Sequence, residues 1–126
     1  MSEEYMKHEY DVVVIGAGGA GLRAAIEAAR SGAKTAIITK SLLGKAHTVM
    51  AEGGCAAALQ NADPRDGWKV HFHDTMKGSK WLADWRMAEY HAKEPPDRVR
   101  ELEQWGAVFD RTPKQLINQR NFGGHT

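Results

Sequence analysis

Residues 10–32, YDVVVIGAGGAGLRAAIEAARSG, decide the fold of this chain. They begin with an apolar, β-branched run and continue through a glycine-rich turn into a segment whose apolar residues recur at helical spacing. A continuous run of this kind is typical of a strand buried on both faces of a parallel sheet. We therefore predict a strand over residues 10–16 and a helix from about residue 20 to Gly32, because glycine suits the left-handed position after a helix.

The next segment, AKTAIITK at residues 33–40, predicts a second strand over about residues 34–39. A strand, a helix and a second strand in about 30 residues form a βαβ unit, in which the strands are parallel and the crossover is right-handed. The predicted fold class is therefore α/β, with a Rossmann-like unit over about residues 10–40.

Beyond residue 60 the sequence predicts helices and then a β-hairpin. Two parallel strands normally need neighbouring strands and cover on both faces. We therefore expect residues 1–126 to be the N-terminal part of a larger domain. The predicted elements are a loop over residues 61–68, helices over 68–77, 84–93 and 94–106, and a hairpin over 107–122 with its turn at 111–115.

Composition excludes several classes of protein. Hydrophobic residues make up 42% and charged residues 26% of the 126 residues, which is typical of a globular domain. The formal net charge of +1 gives no electrostatic basis for binding nucleic acid. The single cysteine, Cys55, excludes an internal disulfide framework and fits a reducing compartment. We find no apolar run long enough to span a membrane and no signal-peptide pattern near the start.

The turn between the predicted strand and helix, GAGGAG at residues 16–21, matches the pattern G-x-G-x-x-G. Gly16 permits a tight turn, Gly18 lets a pyrophosphate approach the backbone, and Gly21 lets the helix pack close to the strand. The helix N-terminus then offers unpaired N–H groups to the phosphates. The motif lies between a strand and a helix, so it predicts a dinucleotide-binding site. Tight packing alone would explain Gly21 but not the other two glycines.

The residues after the second strand leave the identity of the dinucleotide open. An acidic residue about 20 positions after the glycines commonly binds the ribose, but no acidic residue occurs between Glu27 and Glu52. Thr39, Lys40 and Ser41 follow the strand instead. Lys40 would favour the 2′-phosphate of NADP, whereas the hydroxyls of Thr39 and Ser41 would serve an ordinary adenosine ribose.

Four segments together carry a family resemblance: DVVVIGAGGAGLRAA, KAHTVMAEGGCAAAL, HDTMKGS and NQRNFGGHT. In order and spacing the chain resembles the flavoprotein subunit of succinate dehydrogenase and fumarate reductase, from about Tyr10 to its last residue. The element H-T-V-x-A-[EQ]-G-G at residues 47–54 is the most specific part, and the wording around it is most similar to a bacterial succinate dehydrogenase. The resemblance implies FAD as the cofactor. It also implies a flavin-contact segment over about residues 41–60 and a helical and hairpin segment over about residues 66–126.

The resemblance assigns roles to individual residues. It implies that His47 is bonded covalently to the flavin 8α-methyl carbon and that Glu52 lies near flavin and substrate. Phe122 matches a wall of the dicarboxylate pocket, with an ordinary hairpin core residue as the alternative. The implied cofactor-binding residues are Gly16, Gly18, Gly19, Ala20, Gly21, Thr39, Lys40, Ser41, His47, Thr48, Glu52, Gly53 and Gly54, and the implied pocket residues are Glu52, Gly53 and Phe122.

The implied parent enzyme oxidises succinate to fumarate and passes electrons through an iron–sulfur subunit to quinone. Membrane anchor subunits would hold it at the cytoplasmic face of the bacterial inner membrane. The family's catalytic arginine and substrate-binding histidines match no residue of 1–126, so we expect this segment alone to be inactive. Fumarate reductase is the closest alternative, and a non-catalytic NADP- or FAD-binding fragment is the other. L-aspartate oxidase lacks the tethering histidine.

His71, His73 and Asp74 could suggest a metal site. A spacing of two in a helix places the two histidines on different faces, and no second pair of ligands follows. We therefore predict no metal site.

Overall fold

The computed structural model describes residues 5–121 and 123–125. These form two compact units, Met1–Gly54 and Cys55–Thr126, which we describe separately. The first unit contains a strand, a helix and a strand, and the second contains three helices and a bridged loop. No helix in these described ranges combines the length and the apolar character needed to cross a membrane.

The first unit is built on two parallel strands, β1 (Val12–Ile15) and β2 (Thr35–Ile38), joined through helix α1 (Gly19–Arg30). Val12 pairs with Thr35 and Ile15 pairs with Ile38, so the carboxyl ends of both strands lie at one edge of the sheet. The predicted order of strand, helix and strand is confirmed. Both strands are shorter than predicted, with four residues each.

Helix α1 packs on the sheet through the apolar stripe that the sequence predicts. The cleft between helix and sheet is lined by Leu22, Ala25, Ile26, Ala29, Thr35 and Ile37. The other face of β1 is uncovered, since Val13 is 50% and Ile15 is 84% exposed. The prediction of a strand buried on both faces is therefore wrong for the described residues. The physical reason is that α1 covers one face of the sheet, while the outward side chains of β1 remain in solvent.

Helix α1 ends at Arg30, and Gly32 follows it as the predicted glycine stop. Gly32 has a φ of +86°, and its N–H donates to the carbonyl of Ala29 at 3.0 Å. The N–H of Ala33 donates to the carbonyl of Ala28 at 3.1 Å. These two bonds form a Schellman motif, which satisfies carbonyls that the end of a helix would otherwise leave unpaired.

The second unit contains helices α2 (Trp68–Gly78), α3 (Trp85–Lys93) and α4 (Pro95–Gln104). All three predicted helices are confirmed with bounds within about two residues, which is the usual uncertainty at helix ends. The carboxylate of Asp84 accepts from the backbone N–H of Arg86 at 2.8 Å and so starts α3. The small core of this unit includes Met76, Ala88, Ala92 and Val99.

The predicted hairpin over residues 107–122 is largely wrong. It contains one antiparallel bridge, between Arg111 and Ile117, and no strand among its described residues. The N–H of Thr112 donates to the carbonyl of Leu116 at 2.8 Å, so the turn itself forms near the predicted position. A two-stranded hairpin is marginal without further strands. Here the polar residues after Ile117 bind a neighbouring loop instead: Gln119 Nε2 donates to Asp66 Oδ2 at 2.7 Å.

His71 of α2 is the one charged or polar side chain found buried among the described residues, with 6% exposure. Its ring stacks on that of His125 at 4.7 Å between centroids and is tilted against His91 at 5.7 Å. Burial lowers the pKa of His71, and the electrostatic effect of the neighbouring His125 and His91 rings lowers that pKa further. Asp66 and Asp74 act in the opposite direction on the same pKa.

We expect His71 to make the stability of the folded chain sensitive to mild acid. Its pKa is lowered from the ordinary value of 6.5, so the unfolded chain binds a proton first as the pH falls. The contribution of neutral His71 is therefore complete above about pH 6.5 and is lost as the pH falls toward the lower pKa of the folded state. Urea unfolding of His71→Leu should show a weaker loss of stability between pH 7.5 and 5 than the parent chain. The same substitution at the exposed His73 is the control, and an equal effect at both positions would contradict the expectation.

Candidate cofactor-binding site

The glycine turn between β1 and α1 begins at Gly16, which is held in a conformation that favours glycine. Gly16 has a φ of +106°, a region that residues with side chains rarely adopt. Its N–H donates to the carbonyl of Ile38 at 2.8 Å, which ties the turn to the end of β2. A Cβ added to Gly16 would meet no atom within 4 Å. Backbone conformation, not crowding, therefore requires glycine at this position.

Gly21 is required for packing. A Cβ at this position would lie 2.0 Å from the carbonyl oxygen of Gly16 and 2.9 Å from its carbonyl carbon. Both are backbone atoms, so no side-chain rotation could relieve the clash. The absence of a side chain at Gly21 is what allows the first turn of α1 to lie directly against the glycine turn.

Gly18 differs from the other two glycines of the motif. It is the N-cap of α1 with φ −78° and ψ −178°, which is extended backbone open to any residue. A Cβ at Gly18 would make ordinary contacts, at 3.6 Å to Thr48 Oγ1 and 3.9 Å to Ala46 Cβ. Neither conformation nor packing within the chain therefore requires glycine here. A ligand that approaches the backbone at this point does explain it.

Helix α1 presents a favourable end to an anion. The first turn of α1 carries no acidic side chain, and its N-cap, Gly18, has no side chain with which to cap the helix. The N–H groups of a first helical turn have no partner within the helix, and the helix dipole is positive at this end. This arrangement suits the pyrophosphate of a dinucleotide.

A second segment lies against this helix end. His47–Met50 forms a single 3₁₀ turn, and the backbone N–H of Gly19 donates to Thr48 Oγ1 at 3.0 Å. The structure therefore brings Gly18, Gly19 and Thr48 together and places the exposed His47 next to them in the chain. The sequence does not predict the contact between Thr48 and α1. A signal for it exists, because Gly19 is a glycine that the G-x-G-x-x-G pattern does not require.

Thr39, Lys40 and Ser41 follow β2 at the same edge of the sheet as the glycine turn. Ligands in open α/β folds bind at this edge, beyond the carboxyl ends of the strands. Thr39 Oγ1 donates to the carbonyl of Ser41 at 2.9 Å, so that hydroxyl shapes the local turn. The three residues are exposed.

The segment Glu52–Gly54 is exposed. Gly54 has a φ of +107°, which favours glycine by conformation. Gly53 does not fall in that region, and a Cβ there would meet no atom within 4 Å. Phe122, the predicted pocket residue, lies outside the described residues. Within the described ranges no group of three or more His, Cys, Asp or Glu residues is placed to hold a metal ion.

A family model described as "FAD binding domain" matches residues 11–126. The chain belongs to the FAD-binding domain family. The groups present fit such a cofactor: a glycine turn, N–H groups at Ala20 and Gly21 that have no partner within the helix, and hydroxyls beyond the second strand.

Similar members of the FAD-binding domain family agree with the predicted resemblance, which is confirmed. The chain is 51% identical over 119 residues to the succinate dehydrogenase flavoprotein subunit of Rickettsia felis, covering 94% of this chain and 20% of that protein. It is 48% identical over 120 residues to a chain of the fumarate reductase (CoM/CoB) of Methanothermobacter marburgensis, covering 94% of this chain and 22% of that protein.

Solved structures agree at the level of the fold. The Sdh1 complex of Mycobacterium smegmatis in the apo form contains a chain that matches with a TM-score of 0.89 and 69% identity, over 94% of this chain and 20% of that one. A quinol fumarate reductase of E. coli matches with a TM-score of 0.83 and 43% identity, over 92% of this chain and 20% of that one. The chain thus spans about one fifth of the length of these relatives.

Two alanine substitutions in the glycine turn should separate packing from ligand approach. Gly21→Ala should lower the free energy of unfolding by about 1–3 kcal/mol or more, because the new Cβ collides with the backbone of Gly16. Gly18→Ala should cost less than about 1 kcal/mol, because its Cβ makes only ordinary contacts. Denaturant unfolding in the absence of cofactor is the measurement. Equal losses for the two variants would show that the close approach at Gly21 is not what holds the helix.

Proposed function

We propose that this chain is the N-terminal part of a larger, Rossmann-like FAD-binding domain in a succinate dehydrogenase flavoprotein subunit. In this proposal it holds FAD covalently through His47. The observation that carries the proposal is Gly18: nothing in its conformation or packing requires glycine, while a pyrophosphate on the backbone does.

The cofactor would lie along one edge of the sheet. Gly16, Gly18 and the first turn of α1, Gly19–Gly21, would surround the pyrophosphate, and the backbone N–H groups of Ala20 and Gly21 would donate to it. Thr39, Lys40 and Ser41 would lie along the adenosine end, where their hydroxyls and charge replace the ribose-binding acid that the sequence lacks. An NADP site is disfavoured, because the chain belongs to an FAD-binding family.

His47 is the proposed site of covalent attachment. Its side chain is exposed at the start of the 3₁₀ turn, and the next residue bonds to the first helical N–H of α1. The imidazole is therefore available to a flavin whose pyrophosphate lies on the same helix end. When bound, FAD would supply hydride acceptance from succinate, and an imidazole substituent would raise its potential by withdrawing electron density.

Glu52, Gly53 and Gly54 would contact the isoalloxazine and the reacting region. Gly53 has open space where a side chain would stand, so its backbone is accessible to a flat ring. Glu52 is exposed, and in this proposal its carboxylate lies near flavin and substrate. Phe122 remains the proposed wall of the dicarboxylate pocket.

The uncovered face of β1 supports a larger domain. Val13 and Ile15 leave much apolar surface in water, and burying such surface contributes about 25 cal/mol per Å². The relatives are about five times as long as this chain, so they contain further residues that could cover it. In the complete protein, substrate oxidation, an iron–sulfur partner and membrane anchor subunits at the cytoplasmic face of the membrane are part of the same proposal. Residues 1–126 contain no match to the family's catalytic arginine.

A fumarate reductase is the second candidate. The identities of 48% and 43% to two proteins named as fumarate reductases favour keeping it. The two activities run the same hydride transfer in opposite directions, so the glycine turn at residues 16–21 and His47 would serve both activities equally.

The covalent bond can be tested by flavin fluorescence on a denaturing gel. The full-length native chain, denatured in acid, should retain a fluorescent flavin, and His47→Ala should lose it because the attachment nitrogen is gone. His8→Ala, which replaces another exposed histidine of the first unit, is the control and should retain the fluorescence. A band without fluorescence from the unmodified full-length chain would remove the covalent bond from the proposal.

Gly53 and Gly54 offer a matched pair for testing flavin approach. Gly53→Ala should leave the free energy of unfolding of the cofactor-free chain within about 0.5 kcal/mol, because the site is open and the backbone unstrained. The same variant should bind FAD at least about tenfold more weakly, because the Cβ stands between the backbone and the ring; such a loss corresponds to about 1.4 kcal/mol. Gly54→Ala should instead destabilise the cofactor-free chain by about 1 kcal/mol through its positive φ. Undiminished FAD affinity of Gly53→Ala, measured by titration, would place the isoalloxazine elsewhere.

A further inference from the structure

We propose that Thr48 is a positioning residue for flavin attachment. Its hydroxyl holds the 3₁₀ turn His47–Met50 (the His47 turn) to the N–H of Gly19 at the start of α1. The helix end that would bind phosphate and the attachment histidine then keep one fixed arrangement. This inference rests on the proposed covalent bond at His47, and its experiment distinguishes failure of the one from failure of the other.

A single hydrogen bond joins the His47 turn to the start of α1, two parts of the first unit that are distant in sequence. The N–H of Gly19 donates to Thr48 Oγ1 at 3.0 Å, across 29 positions of sequence. Gly19 is the first residue of α1, so its N–H has no acceptor within the helix. Thr48 therefore caps the helix from outside, in place of the side chain that Gly18 lacks.

The methyl group of Thr48 explains a glycine that the dinucleotide pattern does not. A Cβ at Gly19 would lie 3.1 Å from Thr48 Cγ2 and 3.5 Å from Thr48 Oγ1. The first distance is tighter than ordinary contact, so a side chain at position 19 would push Thr48 away. Gly19 is thus small because the His47 turn lies on it. The hydrogen bond and the absent side chain are thus two features of one contact between Gly19 and Thr48.

Burial does not hold this turn in place. No residue of His47–Met50 is buried, and Val49 and Met50 are 62% and 65% exposed. Within the turn, the N–H of Val49 donates to the carbonyl of Ala46 at 3.1 Å, which shapes the turn but does not attach it to α1. The Thr48 side chain is therefore the attachment to α1 that the described residues show.

A fixed turn matters for the attachment reaction because bond formation depends on how often the two reacting atoms meet in the right geometry. In that reaction the His47 ring loses its N–H proton and forms a nitrogen–carbon bond, while one C–H bond of the 8α-methyl group breaks. The two electrons released, with two protons, reduce the flavin ring, and a two-electron acceptor such as dioxygen returns it to the oxidised form. Thr48 takes no part in these bonds.

The test compares Thr48→Val with Thr48→Ser in the full-length chain. Valine keeps the branched shape and removes the acceptor, whereas serine keeps the hydroxyl and removes the methyl group. The matched control is Thr35→Val, which removes a hydroxyl that donates to the carbonyl of Ala33 at the opposite end of β2. Apo protein is mixed with FAD, and acid-stable flavin is followed over time beside total bound flavin. Hydrogen exchange of the Gly19 amide is measured without FAD.

We expect Thr48→Val to slow attachment about fivefold and to speed exchange of the Gly19 amide by a similar factor, which is the loss typical of one hydrogen bond. Thr48→Ser should restore both values to within about twofold of the parent chain, and Thr35→Val should change neither. The rate of attachment is expressed per bound flavin, so that an effect of Thr48, itself an implied cofactor-binding residue, on FAD binding is separated from its effect on attachment.

Parent-like attachment and exchange in Thr48→Val would overturn the inference, and so would equal defects in the valine and serine variants. If the parent chain forms no acid-stable flavin, the covalent part of the proposed function fails. In that case hydrogen exchange of the Gly19 amide alone tests whether Thr48 holds the His47 turn on α1. Faster exchange in Thr48→Val supports this contact, and unchanged exchange overturns it. If Thr48→Val does not fold, Thr48→Ala removes the same acceptor and is judged by the same two measurements.

Discussion

The close approach of Gly21 to the carbonyl of Gly16 is the constraint on which the first unit depends. A side chain at Gly21 would occupy the position of that carbonyl oxygen, so only glycine lets α1 start immediately after the turn. The start of the helix then lies at the edge where both strands end. There the N–H of Gly19 binds Thr48, and the next N–H groups have no partner within the helix. The proposed anion site and the position of the His47 turn on α1 both depend on that one contact.

Much of this architecture could be predicted from local sequence, because the elements concerned have strong local causes. β-branched runs, helical spacing of apolar residues and terminal glycines identify β1, α1 and β2. Gly32, predicted as the C-terminal stop of α1, takes the left-handed position of a Schellman motif. The hairpin could not be predicted, since strand pairing depends on competition between distant partners. Gln119 binds Asp66 in preference to extending the ladder, and neither residue carries a local sign of that choice.

The candidate site shows the same division. Gly16 and Gly21 could be predicted because each performs a backbone task, a positive φ and a close approach, that other residues perform poorly. The tie between Thr48 and Gly19 crosses 29 positions, and no periodicity connects them. The sequence around His71 raises only the question of a metal ligand, whereas the structure stacks its ring on His125 and lowers its pKa by burial. Pairings of this kind are set by tertiary packing, which a single sequence does not display.

The uncovered face of β1 bears on how the proposed complete protein is made. Val13 and Ile15 would leave the ribosome well before the residues that cover them. The growing chain would therefore expose this apolar surface through most of its synthesis. Two short parallel strands also offer unpaired edges to any neighbouring chain. In the proposed protein, the part that would bind the cofactor is then also a part that needs protection from aggregation early in synthesis.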